Sequence, residues 1–402
     1  MENKKDAILI VSAGIMQISA IKTAKAMGLT VIATDKNPNA PGFEFCDHAV
    51  VLDSKDAQGH VAYALENKEA LNIKAAFAGS DVAITVSAIT NALGLPGIPL
   101  DVALRSNNKS LMKERWIKDK IPTPFGSEIT TVAEAKSILK HIGFPAIVKA
   151  VDSAASRGSV KIYNDENLDI AIENAKNAST TKTALIEEYV VGNEQSVETI
   201  VWHGKHYHVG MADRQFGYYP YHIETAHYDP SGLSADVQKK IYEVVDNAAD
   251  SLGIDFGPAK ADMILTAKGP MILEMPARLS GGFHSQYTTP YSTGQNPIRA
   301  VMEISLGYEL NESLLVPVTS KVSVCAGLFP AKGKIKEIQG VEEARQIPGV
   351  KEVIITKKSG DIIEEYIDNA KRFCWVIVAG DNKEHAEQII ENVKNTIKFI
   401  VE

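Results

Sequence analysis

The stretch from Ala259 to Gly282, AKADMILTAKGPMILEMPARLSGG, restricts this chain more than any other. It divides into two short apolar runs, Ala261–Thr266 and Pro270–Met275, joined at Ala267, Lys268 and Gly269, and so predicts a hairpin. Asp262 sits on the first strand and Glu274 at the end of the second. Antiparallel pairing sets their carboxylates across roughly 5 Å. Two such groups in apolar surroundings repel, burial raises the cost, and a divalent cation removes it. Mg²⁺ (or Mn²⁺) takes one or two protein carboxylates and fills its other positions with water and phosphate oxygens. Arg278, four residues beyond Glu274, is a bidentate donor for phosphate or carboxylate, and Gly281 and Gly282 close the unit. A surface hairpin carrying two unrelated acids would read the same way.

With 402 residues the chain is long enough for two or three domains. A net charge of −8 and a pI near 5.8 give no basic field for nucleic acid. No apolar run approaches the ~20 residues of a membrane span, and the polar lead MENKKDAILIVSAG runs straight into a strand, unlike a secretory signal. Cys46, Cys325 and Cys374 are far apart and lack metal-ligand spacing, which fits reduced thiols in a cytoplasmic protein.

The first hundred residues read as α/β. Asp6–Ala13 is an apolar strand, Ile15–Met27 a helix ending at Gly28, and Leu29–Thr34 a second strand ending at Asp35. The turn AGIMQIS lacks the later glycines of a dinucleotide fingerprint, so a dehydrogenase reading rests only on the βαβ opening and Asp35. A boundary is expected near Arg105. Beyond it come a helix opening at Ser106–Ser110, the strand Ala146–Ala150 and the small-residue loop Asp152–Ser159. The strand Ala184–Tyr189, a turn at Val190–Glu194 and a hairpin across His203–Lys205 follow. The stretch with Tyr218, Tyr219, Tyr221 and His227 reads as a loop before the helix Ser234–Leu252. A third composition begins near Val318.

Lys149 sits on an apolar strand and requires an anionic partner. The following loop, with Ser153, Ser156, Arg157 and Gly158, exposes amides and hydroxyls suited to phosphate oxygens, although it lacks the P-loop pattern. Glu187 and Glu188 end a strand and point to opposite faces; the backbone there can meet a purine edge, and Glu194 a ribose diol. A charged strand end beside a mobile surface loop is the plainer alternative. His227 and His284 are candidates for a substrate pocket, each equally readable as a structural loop histidine.

Taken in order, Lys109, Lys149 with its loop, the Glu187–Glu194 segment, Asp262, Glu274 and Arg278 resemble the ATP-grasp superfamily of carboxylate–amine ligases. The resemblance covers nearly the whole chain. It implies a mixed α/β and α+β fold: a Rossmann-like pre-ATP-grasp domain at 1–105, an ATP-grasp domain at 106–312 with a lid subdomain at about 148–190, and a small α+β closing domain at 313–402 like that of L-amino-acid ligases and carbamoyl-phosphate synthetase relatives. It further implies that Lys109 and Lys149 contact ATP phosphates under the 152–159 lid. The segment Glu187, Glu188, Tyr189 and Val190 would hold adenine and Glu194 the ribose. Asp262 and Glu274 would hold Mg²⁺, Arg278 the transferring phosphoryl group, and His227, Arg278, Gly281, Gly282 and His284 the substrates. The implied partners are a small carboxylate, an amine and a second copy of the chain. Asp262 stands where Glu is usual and Pro276 where Asn is frequent, which bears on the number of metal ions. The implied reaction is ADP-forming C–N ligation through an acyl phosphate. A bicarbonate- or formate-using enzyme of the purine-biosynthesis type, and a nucleotide-binding module without turnover, stay open as alternatives.

Overall fold

The computed structural model describes residues 4–402. Its first unit is a parallel sheet of β1 (Ala7–Val11), β2 (Thr30–Asp35), β3 (His48–Val51) and β4 (Ile73–Phe77) in the order β3-β2-β1-β4. All five residues of β1 are buried, as an unbroken apolar run requires when helices cover both faces of a parallel sheet. Asp35 accepts bonds from the Ala13 amide (3.0 Å) and the Ser12 hydroxyl (3.3 Å), so its carboxylate braces the first turn.

The second unit is antiparallel: β5 (Gly126–Ile129), β6 (Ala146–Ala150), β7 (Val160–Ile162) and β8 (Ala184–Glu188), in the order β5-β8-β6-β7. Helices Val132–Ile142 and Leu168–Ala178 pack on it through Ala135, Leu139, Ala171, Ile172 and Ala175. The sheet therefore starts at Gly126, earlier than the expected lid boundary near 148, because β5 is an outer strand paired to β8.

The remaining strands are β9 (Gly192–Trp202), β10 (Lys205–Gly217), β11 (Ile223–Asp229), β12 (Phe256–Thr266), β13 (Gly269–Glu274), β14 (Val322–Gly327), β15 (Gly333–Gln339), β16 (Val350–Ile355), β17 (Ile362–Ile363), β18 (Cys374–Gly380) and β19 (Lys398–Val401). Eight of them form one sheet, ordered β13-β12-β9-β10-β11-β14-β18-β16. It runs without interruption from the Asp262 hairpin into the C-terminal strands. Helix Ala235–Leu252 covers it with Ile241, Val244, Val245, Ala248, Ala249 and Leu252, a three-to-four spacing that buries one face against Val197, Met263 and Ile272. Gly253 ends that helix at φ +79°, a left-handed cap that glycine adopts without steric cost. No helix among the described residues is long and apolar enough to cross a membrane.

Two sequence expectations change here. His227 is not in a loop: it lies on β11, buried between β10 and β14. Glu194 is not in a turn: β9 begins at Gly192 and pairs Glu194 with Ile264 and Arg214. Neither segment opens with a clean apolar alternation (Asn193–Ser196 is a polar run, and Glu224 and Thr225 are adjacent), and their strand character comes from neighbours distant in sequence.

Candidate functional site

Asp262 and Glu274 are register partners across β12 and β13, with a register shift just after Asp262. Both face a cleft of about 290 Å³ that the first unit, the small sheet, the large sheet and the C-terminal region all border. Around them stand cations. Lys109, at the start of helix Lys109–Lys118, places Nζ 3.0 Å from Glu274 Oε2 and donates to the Ser153 carbonyl (2.8 Å). Asn108 caps that helix by accepting from the Ser110 and Leu111 amides, which fixes where Lys109 emerges. Lys260, two residues before Asp262 and so on the same strand face, pairs with Asp262. Arg214 on β10 reaches Asp262 Oδ1 (2.6 Å) and Glu224 Oε1 (2.9 Å).

The electrostatics follow from burial and these partners. Burial pushes the Asp262 carboxyl up despite Arg214 and Lys260, and the Glu274 charge adds to the rise. Burial pushes Glu274 the same way, but Lys109 and Lys260 overcome it and hold that carboxyl well below its usual range. The two adjacent carboxyls thus shift in opposite directions, with cations on both. A divalent ion in place of those cations is chemically consistent with this donor set. No cluster of three or more His, Cys, Asp or Glu suited to a metal occurs among the described residues. The pair thus leaves most positions of a hard cation to phosphate oxygens and water.

On the opposite wall, Glu187 is 1% exposed and buried between Lys113 (2.6 Å) and Lys149. Burial opposes its ionisation, and the two ammonium groups overcome this and depress its pKa. Glu187 therefore orients Lys149 toward the cleft. Glu188 accepts from the Phe125 amide (3.1 Å), and Tyr189 and Val190 line the cleft beside it. Glu194 Oε1 meets His222 Nε2 at 2.6 Å. Arg278 is held by Asp81 of the first unit (2.6 Å) and by the Leu279 carbonyl (2.9 Å).

In the 152–159 loop, Ser153 and Ser156 line the cleft, whereas Arg157 and Gly158 do not. Arg157 is exposed and donates to the Ala154 carbonyl; Gly158 faces helix Leu168–Ala178, where a Cβ would lie 2.7 Å from that of Ala178. Gly281, Gly282, His227 and His284 all border the cleft. Lys113, Lys260, Arg214, Glu224, Asp229, Asn369 and Arg372 are site residues that the sequence reading passed over. Lys113 follows Lys109 by four and Lys260 precedes Asp262 by two, so periodicity placed both on the same faces. Arg214 lies near the far end of β10, away from the hairpin turn that the sequence marks. Asn369 and Arg372 gave no local signal.

Residues 142–286 match the model of an ATP-grasp domain, and residues 327–402 match that of L-amino acid ligase C-terminal domain 2. Residues 142–286 are thus similar to an ATP-grasp domain. The chain is 23% identical over 323 residues to the uncharacterized protein y4rH of Sinorhizobium fredii, covering 79% of itself and 66% of that protein. It is 27% identical over 203 residues to a D-alanine–D-alanine ligase of Polynucleobacter asymbioticus, covering 48% of itself and 59% of the ligase. The chain thus spans about two thirds or less of the length of these curated relatives. The crystal structure of an L-amino acid ligase from Bacillus licheniformis superimposes with a TM-score of 0.85 at 21% identity over 100% of both chains. The ATP-grasp fold expected from the ordered residues is therefore present.

Proposed function

We propose that this chain is an ADP-forming ligase that joins a carboxylic acid, an amino acid in the reading best supported, to an amine through an acyl phosphate. The observation that carries the proposal is the buried Asp262–Glu274 pair sharing one cleft with Lys109, Lys149 and Arg278. The C-terminal match to an L-amino acid ligase domain supports the amino acid as acid substrate.

A carboxylate is a poor electrophile until a phosphoryl group makes one of its oxygens a leaving group. Lys109 and Lys149 bind the triphosphate, and Lys149 stays charged because Glu187 outweighs its burial. The backbone at Glu188–Val190 meets adenine and Glu194 the ribose. Asp262 and Glu274 would hold Mg²⁺, which neutralises charge as the phosphoryl group transfers. Arg278, kept cationic by Asp81 against the penalty of burial, steadies the same group. The 152–159 loop excludes water, which would otherwise hydrolyse the acyl phosphate.

The test crosses the twenty L-amino acids as acids with the same set as amines and measures phosphate release with ATP and Mg²⁺, followed by the product mass. Phosphate release that needs both partners, and that Glu274→Gln lowers at least 100-fold, is the expected result. A fully active Glu274→Gln enzyme, or phosphate release indifferent to any acid, rules the reading out.

A further inference from the structure

A ligase of this kind needs an uncharged amine, yet none of the groups assigned above can take its proton. The lysines and arginines are cationic, and the two metal-site acids are committed. A buried pair, Asp229 and His284, is not among the groups assigned to the nucleotide above. Asp229, at the end of β11, is 0% exposed. Its Oδ2 accepts from His284 Nε2 (2.8 Å) and Thr289 Oγ1 (2.6 Å), and its Oδ1 from Ser292 Oγ (3.0 Å). His284 is 2% exposed, borders the cleft, and has a buried Nδ1 with no hydrogen-bond partner among the described residues.

The tautomer follows from these contacts. An ionised carboxylate only accepts, so Nε2 carries the hydrogen. Neutral His284 then holds a lone pair on Nδ1. A buried ring nitrogen without a partner costs free energy, and such a group calls for a ligand donor. We infer, on the strength of the ligase reading, that His284 positioned by Asp229 is the base that accepts the proton of the attacking ammonium group. His227 is excluded by its own contacts: Nε2 meets Thr288 Oγ1 (3.1 Å), and Nδ1 faces Glu224 at 3.8 Å. Burial, against the pull of Glu224, also holds His227 down at about 4. The other charged groups that act on His284 are Glu198 on β9 and Lys260 on β12, with His227 beside it on β11. Burial opposes protonation of His284, and Asp229 overcomes it and raises its pKa.

In the step, R–NH₃⁺ passes one proton to His284 Nδ1. The freed lone pair forms the C–N bond at the acyl carbon, and the C–O bond to phosphate breaks with its electron pair on the leaving phosphate. The second nitrogen proton departs with that phosphate, and His284 returns its proton to water.

Hydroxylamine separates this role from the rest. It is already neutral at pH 7, so it captures an acyl phosphate without a base. The acid giving most hydroxamate with wild-type enzyme is selected from the twenty L-amino acids, and the best amine from the same set. The readout is the ratio of amide to hydroxamate formation. For His284→Gln this ratio is expected to fall at least 100-fold, the usual scale of general-base catalysis. For Asp229→Asn the acid limb of the amide pH–rate profile moves to lower pH, since losing the negative partner lowers the histidine pKa, while the hydroxamate profile stays put. An unchanged ratio in His284→Gln, or equal loss of both products, overturns the assignment, because a folding or binding defect lowers both alike. If wild-type enzyme gives neither product with any acid, the ligase reading falls first.

Discussion

Glu187 shows how one buried residue serves charge and position together. Its two oxygens meet Lys113 and Lys149, and Lys113 is itself 1% exposed. The trio carries net positive charge into the cleft, where phosphates would complete the pairing. Removing the one anion strands two ammonium groups in a site with little water. Breaking a buried pair in this way costs roughly 3–5 kcal/mol. Glu187→Gln should therefore lower unfolding free energy by that order at pH 7, read from urea transitions. The sign of the pH dependence follows from the lowered Glu187 pKa. A depressed carboxyl contributes stability above its unfolded value, lost as pH falls through the folded value. The gap between wild type and variant should thus narrow below about pH 4. A variant within about 1 kcal/mol of wild type at pH 7 would mean that the trio is solvated and does not set Lys149.

At the level of elements, the 152–159 loop is fixed by a residue more than two hundred positions away. The Asn369 amide donates to the Ala155 carbonyl (2.9 Å), its Nδ2 to Ser156 Oγ (2.9 Å), and its Oδ1 accepts from the Glu224 amide (2.9 Å). Ala155 and Ser156 both take positive φ, near +60°, a conformation disfavoured for residues with a Cβ and sustained here by those bonds. Asn369→Ala should release the loop. The backbone bond to Ala155 stays, and losing the one side-chain bond to Ser156, worth about 1 kcal/mol, predicts roughly fivefold faster tryptic cleavage after the exposed Arg157, followed by mass spectrometry. Cleavage at an unchanged rate would show that the loop holds its shape alone. What could be read from sequence divides along the same line. The Asp262–Glu274 hairpin was legible because strand period, turn and acids lie within one short segment. The Lys109 helix and the Lys149 strand were legible for the same reason. Arg214, Asn369 and the strand placement of His227 were not, because each is set by sheet neighbours or by a contact spanning half the chain.

The whole molecule is tied together by the large sheet. The family resemblance implies a closing domain from residue 313, yet β11 pairs directly with β14 through Ala226 with Ala326, His227 with Cys325, Tyr228 with Val324 and Asp229 with Ser323. Ala226 and Tyr228 share one core with Val324, Val376, Val378, Ile389, Ile390 and Val393. Cutting the chain before Val318 would leave β11 as a bare edge, with apolar side chains and unpaired backbone groups turned to water. It would also remove Asn369, and with it the bond to the Glu224 amide, and Arg372, which donates to the Glu224 carbonyl (3.0 Å). The site and the C-terminal region are therefore expected to fold as one cooperative unit. A fragment of residues 1–317 should aggregate, or stay soluble only as a compact state lacking near-ultraviolet circular dichroism, and should not bind ATP by calorimetry. The intact chain should show one urea transition by far-ultraviolet dichroism and by tryptophan fluorescence alike; of its three tryptophans, Trp375 on β18 packs edge-on against Phe283, one residue before His284. A soluble 1–317 fragment with native dichroism and ATP affinity would make the C-terminal region a separate domain, and the shared sheet a docking contact between two folded bodies.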